Sequence, residues 1–273
     1  MNTTCIHPTR YATNLTDDES DIVAPYVNND PTLGSPRNVC IRCVINALFY
    51  IDKTGCQWQM VPKDLPNYGT VHYDFRKWTN DGTFARINTD LRRMLRSRYG
   101  RDPDPSLAIV DSQSVTTTAV GGEVGYDARK QVTGRKRHIL VDTLGWLLLV
   151  VVTAASVQDA SSARLLGPRM QDQFPRLRKL LVDAGYKQQF IDWFHTWYGW
   201  VVELGHRPPQ QRGFHVLAKR WIVERTFAWF DPYRRLSKDY EYDPSSSESM
   251  IYLASIRMML KRATRREQSA ATN

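Results

Sequence analysis

The sequence lacks a hydrophobic run long enough to cross a membrane. Its longest apolar stretch, residues 146–154, is the length of a strand, whereas a membrane-spanning helix needs about 20 apolar residues. The first residues also lack the basic and then apolar pattern of an export signal. We therefore expect a cytoplasmic protein with no membrane partner.

Cysteine is scarce, with four residues in a chain of 273, so a disulfide framework is not expected. Cys40 and Cys43 form a C-x-x-C pattern, but it lies inside a helix predicted over residues 37–52. No second C-x-x-C or H-x-H pattern completes a zinc site. We interpret the pair as buried helical cysteines and keep a zinc site as the alternative.

Negative charge is in deficit, because 28 Asp and Glu residues face 37 Lys and Arg residues and leave a net charge of +9. A basic chain of this size favours a polyanionic partner. Charge alone does not separate nucleic acid from an anionic membrane surface.

The first hundred residues divide into two parts. Residues 1–35 have weak periodicity and are interpreted as a poorly specified arm, whereas residues 36–100 have apolar residues at helical spacing, which predicts three helices. Basic residues occupy the positions that we expect to be exposed, namely Arg76, Lys77, Arg86, Arg92, Arg93, Arg96 and Arg98. A small basic helical unit is a common form of DNA-binding or dimerisation domain, and a solvated basic face is the alternative.

A different pattern follows the breaker-rich linker at 101–105 and extends over residues 106–265. Short apolar runs predict strands, and they alternate with helical patterns. The predicted strands cover 107–111, 137–142, 146–154, 179–183 and 200–204; the predicted helices cover 160–173, 187–198, 219–230, 232–240 and 245–265, the last with capping-box spacing between Ser245 and Glu248. This order, β-β-β-α-β-α-β-α, is that of a ribonuclease-H-like α/β fold, here preceded by a small all-helical domain.

Two aspartates end apolar strands. Asp111 follows the first predicted strand and Asp183 the fourth, and these strands are neighbours at the centre of a ribonuclease-H-like sheet. We therefore expect the two carboxylates side by side. Carboxylate oxygens suit Mg²⁺, and two Mg²⁺ ions about 3.5–4 Å apart can move a phosphodiester bond. Other acidic residues have plainer interpretations, since Asp142 begins a turn and Asp159 fits a helix N-cap.

Longer motifs surround these residues. They are IVDSQSV at 109–115, GRKRHILVDTLG at 134–145, Gln158-Asp159, VDAGY at 182–186, GFHVL at 213–217, RWIVERTFAW at 220–229, RRL at 234–236, KDYE at 238–241 and, near the N-terminus, GCQW at 55–58. In the order and spacing of these motifs, over residues 36–262, the chain closely resembles insertion-sequence transposases of the fifth insertion-sequence family, which are DDE enzymes of mobile bacterial elements.

The resemblance implies a catalytic triad of Asp111, Asp183 and Glu224 that binds Mg²⁺ or Mn²⁺, two ions per active site. It also implies double-stranded DNA as the partner, both as terminal inverted repeats and as target, with cleavage followed by strand transfer. Because two DNA ends must be handled together, we expect a homodimer or a higher assembly on DNA. A nuclease of the same fold and an inactive DNA-binding regulator are the alternatives, and the intact triad argues against the second.

Related DDE families have a basic residue seven positions after the glutamate, where this chain has Asp231. Arg225, Arg234 or Arg235 could take over that phosphate contact. Arg220, one helical turn before Glu224, could bind phosphate or pair with the glutamate. The full set of predicted DNA-binding residues is Lys130, Arg135, Lys136, Arg137, His138, Arg220, Arg225, Arg234, Arg235, Arg76 and Lys77.

Two further expectations concern the tryptophans and the linker. The group of Trp193, Trp197, Trp200, Trp221 and Trp229 is interpreted as core, with base stacking by one of them as an alternative. The change of pattern at 101–105 predicts that DNA recognition and chemistry are separable there, with residues 1–100 supplying much of the selectivity.

Overall fold

A computed structural model describes residues 11–27, 38–119, 121–171, 173–183, 185–186, 188–204 and 221–265. Four helices come first, namely α1 (Asp17–Val27), α2 (Ile41–Thr54), α3 (Tyr68–Asn80) and α4 (Thr83–Arg98). The three helices predicted for residues 36–100 are α2, α3 and α4. The prediction of a poorly specified arm was wrong for α1, because this helix buries Val23 and Val27 and joins Glu19 to Arg257 in a buried ion pair of 2.6 Å.

Six strands form one sheet, namely β1 (Leu107–Thr116), β2 (Gly125–Asp127), β3 (Val132–Val141), β4 (Leu147–Ala154), β5 (Lys179–Val182) and β6 (Val201–Leu204). The order β4-β3-β1-β5-β6 puts β1 at the centre, antiparallel to β3 and parallel to β5, and the short β2 pairs with β3. The predicted ribonuclease-H-like order is confirmed. Strand β2 was not predicted, since three residues are too few to show a period.

The remaining helices are α5 (Ala163–Gln171), α6 (Gln188–Tyr198), α7 (Trp221–Phe230) and α8 (Pro244–Ala263). The helix predicted over 232–240 was wrong, because only a 3₁₀ turn forms at Arg234–Leu236 and Asp239 then pairs with the end of β1 instead. The backbone N–H of Asp239 donates to the carbonyl of Thr116 at 2.8 Å. None of the described helices is long and apolar enough to cross a membrane.

The start of α8 also differs from the prediction. Asp243 is the N-cap and Pro244 the first helical residue, so the capping box expected between Ser245 and Glu248 does not form. Glu248 instead accepts a hydrogen bond of 3.0 Å from the backbone N–H of Val152 and pairs with Arg169 at 3.2 Å. Burial raises the pKa of Glu248, against the opposing effect of Arg169.

Alternate residues of the central strands face two separate hydrophobic clusters. Ile109 and Ile139 belong to a cluster with the N-terminal helices, α7 and α8, and we call this side of the sheet the front face. Val110 and Leu140 belong to a second cluster with α5 and α6, on the reverse face. A side chain on β1 is therefore assigned to a face by its parity with Ile109 or Val110.

The N-terminal helices and the sheet share the front-face core. Asn88 of α4 donates to the carbonyl of Leu147 at 2.9 Å and accepts from Ser255 of α8 at 2.7 Å, and Arg96 of α4 pairs with Asp142 at 2.6 Å. Arg92 and Arg96 are thus buried, and the prediction that they are exposed was wrong. The domain boundary at 101–105 stays a prediction, but a shared core weighs against separating its two sides.

Candidate active site

Asp111 and Asp183 occupy equivalent places on neighbouring parallel strands. Val110 of β1 is in register with Val182 of β5, and each aspartate is the next residue of its chain. Strand β5 ends at Val182, where the N–H of Tyr186 donates to the carbonyl of Asp183 at 3.0 Å and closes a turn. The two half-buried aspartates therefore lie side by side at the end of the sheet where β5 stops.

Asp111 is two residues after Ile109 on β1, so its side chain belongs to the front face. Asp183 follows the last residue of β5 and is two residues after Leu181, which packs against the same cluster. Helix α7 packs on this same face through Ile222 and Val223, and it carries the exposed Glu224. The helix that carries Glu224 therefore covers the same face of the sheet to which the two aspartate segments belong.

Two hydrogen bonds to the β3–β4 turn hold α7 in place. Thr226 Oγ1 donates to the carbonyl of Gly145 at 2.9 Å, and Arg225 Nη2 donates to the carbonyl of Leu144 at 2.9 Å. Gly145 has a φ of 89°, and a Cβ there would lie 3.0 Å from the ring of Trp229. A glycine at this turn lets the helix that carries Glu224 approach the sheet closely.

The donor set fits a hard divalent cation by its chemistry, since carboxylate oxygens are the ligands that Mg²⁺ and Mn²⁺ prefer. Within the described residues, no three side chains of His, Cys, Asp or Glu lie together closely enough to hold an ion. Asp111 and Asp183 follow paired residues of neighbouring strands, and Glu224 is carried by the helix that packs on the front face.

A polar network lies behind Asp111, on the reverse face. Ser112 Oγ donates to Asp159 Oδ1 at 2.8 Å, and the buried Lys136 ammonium lies 3.4 Å from the same oxygen and 3.5 Å from Asp127 Oδ2. Asp159 is the first residue of a 3₁₀ helix and not the N-cap that was predicted, and its carboxylate accepts from Ser112. Sequence reasoning missed this contact, and the Gln158-Asp159 motif was the available signal.

Tyr186 belongs to the turn that follows Asp183. Its ring is fully buried and packs against Phe190 at 4.8 Å between centroids. Burial raises the pKa of the Tyr186 hydroxyl well above its usual value, and the charges of Asp159, Asp111 and Asp183 raise it further. The Tyr186 ring therefore packs the turn after Asp183 into the reverse-face core.

The basic residues predicted to bind DNA separate into exposed and buried groups. Lys130 is exposed, and its ammonium donates to the carbonyl of Ser112 at 3.0 Å, one residue from Asp111. Its neighbour Arg129 is also exposed. These two side chains give positive charge beside the aspartate pair, and Arg129 was not among the predicted DNA-binding residues.

Arg135, Arg137 and His138 are buried, in contrast to the basic surface that was expected. Arg135 pairs with Asp239 at 3.1 Å, and Arg137 donates to the carbonyl of Leu236 at 2.7 Å, so both hold the segment that follows α7. Burial lowers the pKa of His138 to about 4 against the opposing charge of Asp159, which keeps the ring neutral at pH 7. Lys136, described above, is buried as well.

Three arginines were candidates to replace the basic residue missing at Asp231. Arg235 is buried and pairs with Glu241 at 2.7 Å, whereas Arg225 lies between the rings of Trp221 and Trp229. Arg234 is the exposed member of the three. Arg220 lies outside the described residues.

On the N-terminal unit, Arg76 pairs with Asp243 at the start of α8, while Lys77 is exposed. The tryptophans are less uniformly buried than expected. Trp200 is buried, but Trp197 and Trp221 are exposed by 69% and 45%, so the core interpretation was wrong for these two.

Comparisons with known proteins agree along the chain. Residues 102–259, more than half of it, match the family described as "Transposase DDE domain", and residues 15–88 match "Putative transposase of IS4/5 family". A relative from Burkholderia cepacia, "Putative transposase for insertion sequence element IS402", is 32% identical over 121 residues, which cover 40% of this chain and 54% of the relative. The chain thus spans about half the length of that relative.

A weaker likeness concerns a solved structure. The crystal structure of the Mos1 strand transfer complex aligns with 86% of this chain and 79% of its own, at 15% identity and a TM-score of 0.29.

Proposed function

The chain belongs to the transposase DDE domain family, and from that premise we propose that it is a DNA transposase whose Asp111, Asp183 and Glu224 bind divalent metal ions. The observation that carries the proposal is the register of β1 and β5, in which Val110 pairs with Val182 and both aspartates follow at the same end of the sheet. The packing of α7, which carries Glu224, on the front face also supports the proposal.

In the proposed reaction, Asp111 and Asp183 would hold the ions, and Glu224 would complete the ligand set from α7. When bound, two Mg²⁺ or Mn²⁺ ions would activate the attacking oxygen and stabilise the leaving oxygen of a phosphodiester. The protein's own contribution is orientation. The β1–β5 register fixes the spacing of the two aspartates, and the contacts of α7 with the β3–β4 turn fix the third.

Exposed cations beside the carboxylates would hold the DNA backbone. We assign this role to Lys130 and Arg129, because both are exposed near Asp111, and to Arg234 in place of the missing basic residue at Asp231. Lys77 remains a candidate on the N-terminal unit, whereas the burial of Arg135, Arg137 and Arg235 supports structural roles. The proposed substrates are terminal inverted repeats and target DNA.

Conservative variants test the triad. Asp111→Asn, Asp183→Asn and Glu224→Gln are expected to reduce cleavage to background on DNA that carries the sequences flanking the coding frame, while binding of that DNA persists. Asp192→Asn is the matched control, since Asp192 is exposed on α6 and accepts a hydrogen bond from Gln188, one helical turn earlier, at 2.8 Å. A variant that keeps wild-type cleavage removes its residue from the triad.

Joining separates a transposase from a nuclease of the same fold. With pre-cut ends, the wild-type protein is expected to transfer strands in Mg²⁺ or Mn²⁺ and to stop in EDTA. Cleavage without any transfer from pre-cut ends would favour the nuclease.

Assembly is tested separately. Because one chain has one proposed active site and a mobile element has two ends, light scattering of the protein on end DNA is expected to show a dimer or a larger assembly. A complex of one chain with one DNA end would contradict this part of the proposal.

A further inference from the structure

Asp159 lies at the centre of the polar network behind Asp111, on the reverse face of the sheet. Its side chain is 22% exposed and lies in a group that the proposed metal site does not use. One carboxylate oxygen, Oδ1, accepts from Ser112 Oγ at 2.8 Å and lies 3.4 Å from the Lys136 ammonium. Each of these contacts connects Asp159 to another part of the site.

The contact with Ser112 leads to Asp111. The backbone N–H of Ser112 donates to Asp111 Oδ1 at 2.7 Å, while its hydroxyl donates to Asp159 on the other side of the strand. The carbonyl of Ser112 accepts from the exposed Lys130 at 3.0 Å. One residue therefore joins Asp159 to a proposed metal ligand and to a proposed DNA contact.

The other carboxylate oxygen of Asp159, Oδ2, lies near the segment that follows Asp183. A Cβ at Gly185 would lie 3.7 Å from Asp159 Oδ2 and 3.2 Å from Arg129 Nη1. The turn from Asp183 to Tyr186 therefore passes close to Asp159.

Burial of the Lys136 ammonium costs free energy unless hydrogen bonds and opposite charges compensate, because the ammonium loses its hydration. Lys136 has a side-chain exposure of 7%, and it lies between Asp159 and Asp127, 3.5 Å from the latter. Its ammonium also donates to the carbonyl of Val157 at 2.9 Å, two residues before Asp159. The lysine thus holds the Asp159 segment against β3.

We propose that Asp159, which lies beside the turn after Asp183, is a positioning residue that holds Asp111, through Ser112, in the arrangement that binds metal. This inference rests on the proposed function, because the arrangement matters only if those aspartates are ligands. Groups that orient metal ligands typically change metal affinity or activity by about 10–100-fold when they are removed.

The test measures Mn²⁺ binding to the full chain by electron paramagnetic resonance, together with the Mn²⁺ dependence of cleavage. Asp159→Ala is expected to weaken Mn²⁺ binding by about 10–100-fold and to raise the Mn²⁺ concentration for half-maximal cleavage in parallel. Asp159→Asn is expected to lose less, since its amide oxygen can still accept from Ser112. Asp192→Asn is the matched control and is expected to bind as the wild type does.

Ser112→Ala tests the positioning role without disturbing the buried charges, since it removes one hydroxyl and leaves Lys136 and Asp159 in place. It is expected to weaken Mn²⁺ binding, and the double variant with Asp159→Ala is expected to be no weaker than Asp159→Ala alone, because both changes break one link. Wild-type Mn²⁺ binding in both Asp159→Asn and Ser112→Ala, or full additivity of the double variant, would overturn the inference.

Asp111→Asn distinguishes failure of the positioning role of Asp159 from failure of the proposed metal site. If it loses Mn²⁺ binding while the Asp159 variants do not, the positioning role is wrong and the proposed metal site stands. If Asp111→Asn itself binds Mn²⁺ as tightly as the wild type, the proposed metal site is wrong, and the inference fails with it.

Discussion

Replacing Arg96 with Met is expected to destabilise the N-terminal helices and the sheet together. Arg96 on α4 pairs with Asp142 at 2.6 Å, with side-chain exposures of 6% and 0%, and its Nε donates to the carbonyl of Asp102 at 2.7 Å. Asp142 also accepts from the backbone N–H groups of Leu144 and Trp146, at 2.9 Å each. Methionine fills similar space but leaves the buried Asp142 carboxylate without its cation.

The expected cost is large. Removing one partner of a buried ion pair costs about 3–5 kcal/mol, because the other charge stays desolvated. For a domain of this size, each kcal/mol lowers Tm by about 2–4 °C, so Arg96→Met should lower Tm by roughly 6–20 °C. The control is Arg93→Met on the same helix, whose exposed pair with Asp104 is worth at most about 1 kcal/mol.

Thermal unfolding followed by circular dichroism and by tryptophan fluorescence measures both the size and the cooperativity of the effect. The wild type and Arg96→Met should each unfold in a single transition that coincides for the two probes, because one core spans the helices and the sheet. Equal Tm values for the Arg96 and Arg93 variants, or a separate early transition of the N-terminal helices, would refute this reasoning.

Three other outcomes are expected. Gly145→Ala should lower stability by about 1–3 kcal/mol, because the φ of 89° disfavours a side chain and Trp229 lies 3.0 Å from the new Cβ. Gly100→Ala, with a φ of 65° and open space around its Cβ, measures the cost of the backbone conformation alone. Equal losses of stability in urea unfolding would argue against the contact with Trp229. Lys130→Ala should weaken DNA binding and reduce the slope of log K against log salt by about 0.9, and an unchanged slope would remove its phosphate contact. Burial raises the pKa of Asp127, but accepted hydrogen bonds and a nearby ammonium lower it to about 2. Since the folded pKa is below the unfolded value of about 3.9, the stability difference between the wild type and Asp127→Asn should shrink as pH falls from about 5 to 2, and a constant difference would contradict the assignment.

Local pattern was enough to predict the centre of the fold. The apolar runs before Asp111 and Asp183 predicted two buried strands, and the strand order then made those strands neighbours, as the pairing of Val110 with Val182 confirms. Both steps depend on short stretches of sequence, whose periodicity is visible without knowledge of distant residues.

Contacts between residues far apart in sequence could not be predicted from local pattern. Arg135 was expected on a basic surface, yet Asp239, 104 positions later, pairs with it in the interior. The prediction for Asp159 as a local cap likewise could not include Ser112, which is 47 positions away. Buried charges of this kind depend on tertiary pairing, which charge and periodicity do not encode.

Metal-directed cleavage of the protein itself tests the central claim that Asp111, Asp183 and Glu224 form one metal site. Fe²⁺ replaces Mg²⁺ in the complex with end DNA, ascorbate and peroxide are added, and mass spectrometry maps the cuts in the chain. We predict cuts close to all three residues, and loss of all three in Asp111→Asn. Cuts near Asp111 and Asp183 without any near Glu224, or an unchanged pattern in Asp111→Asn, would contradict the account.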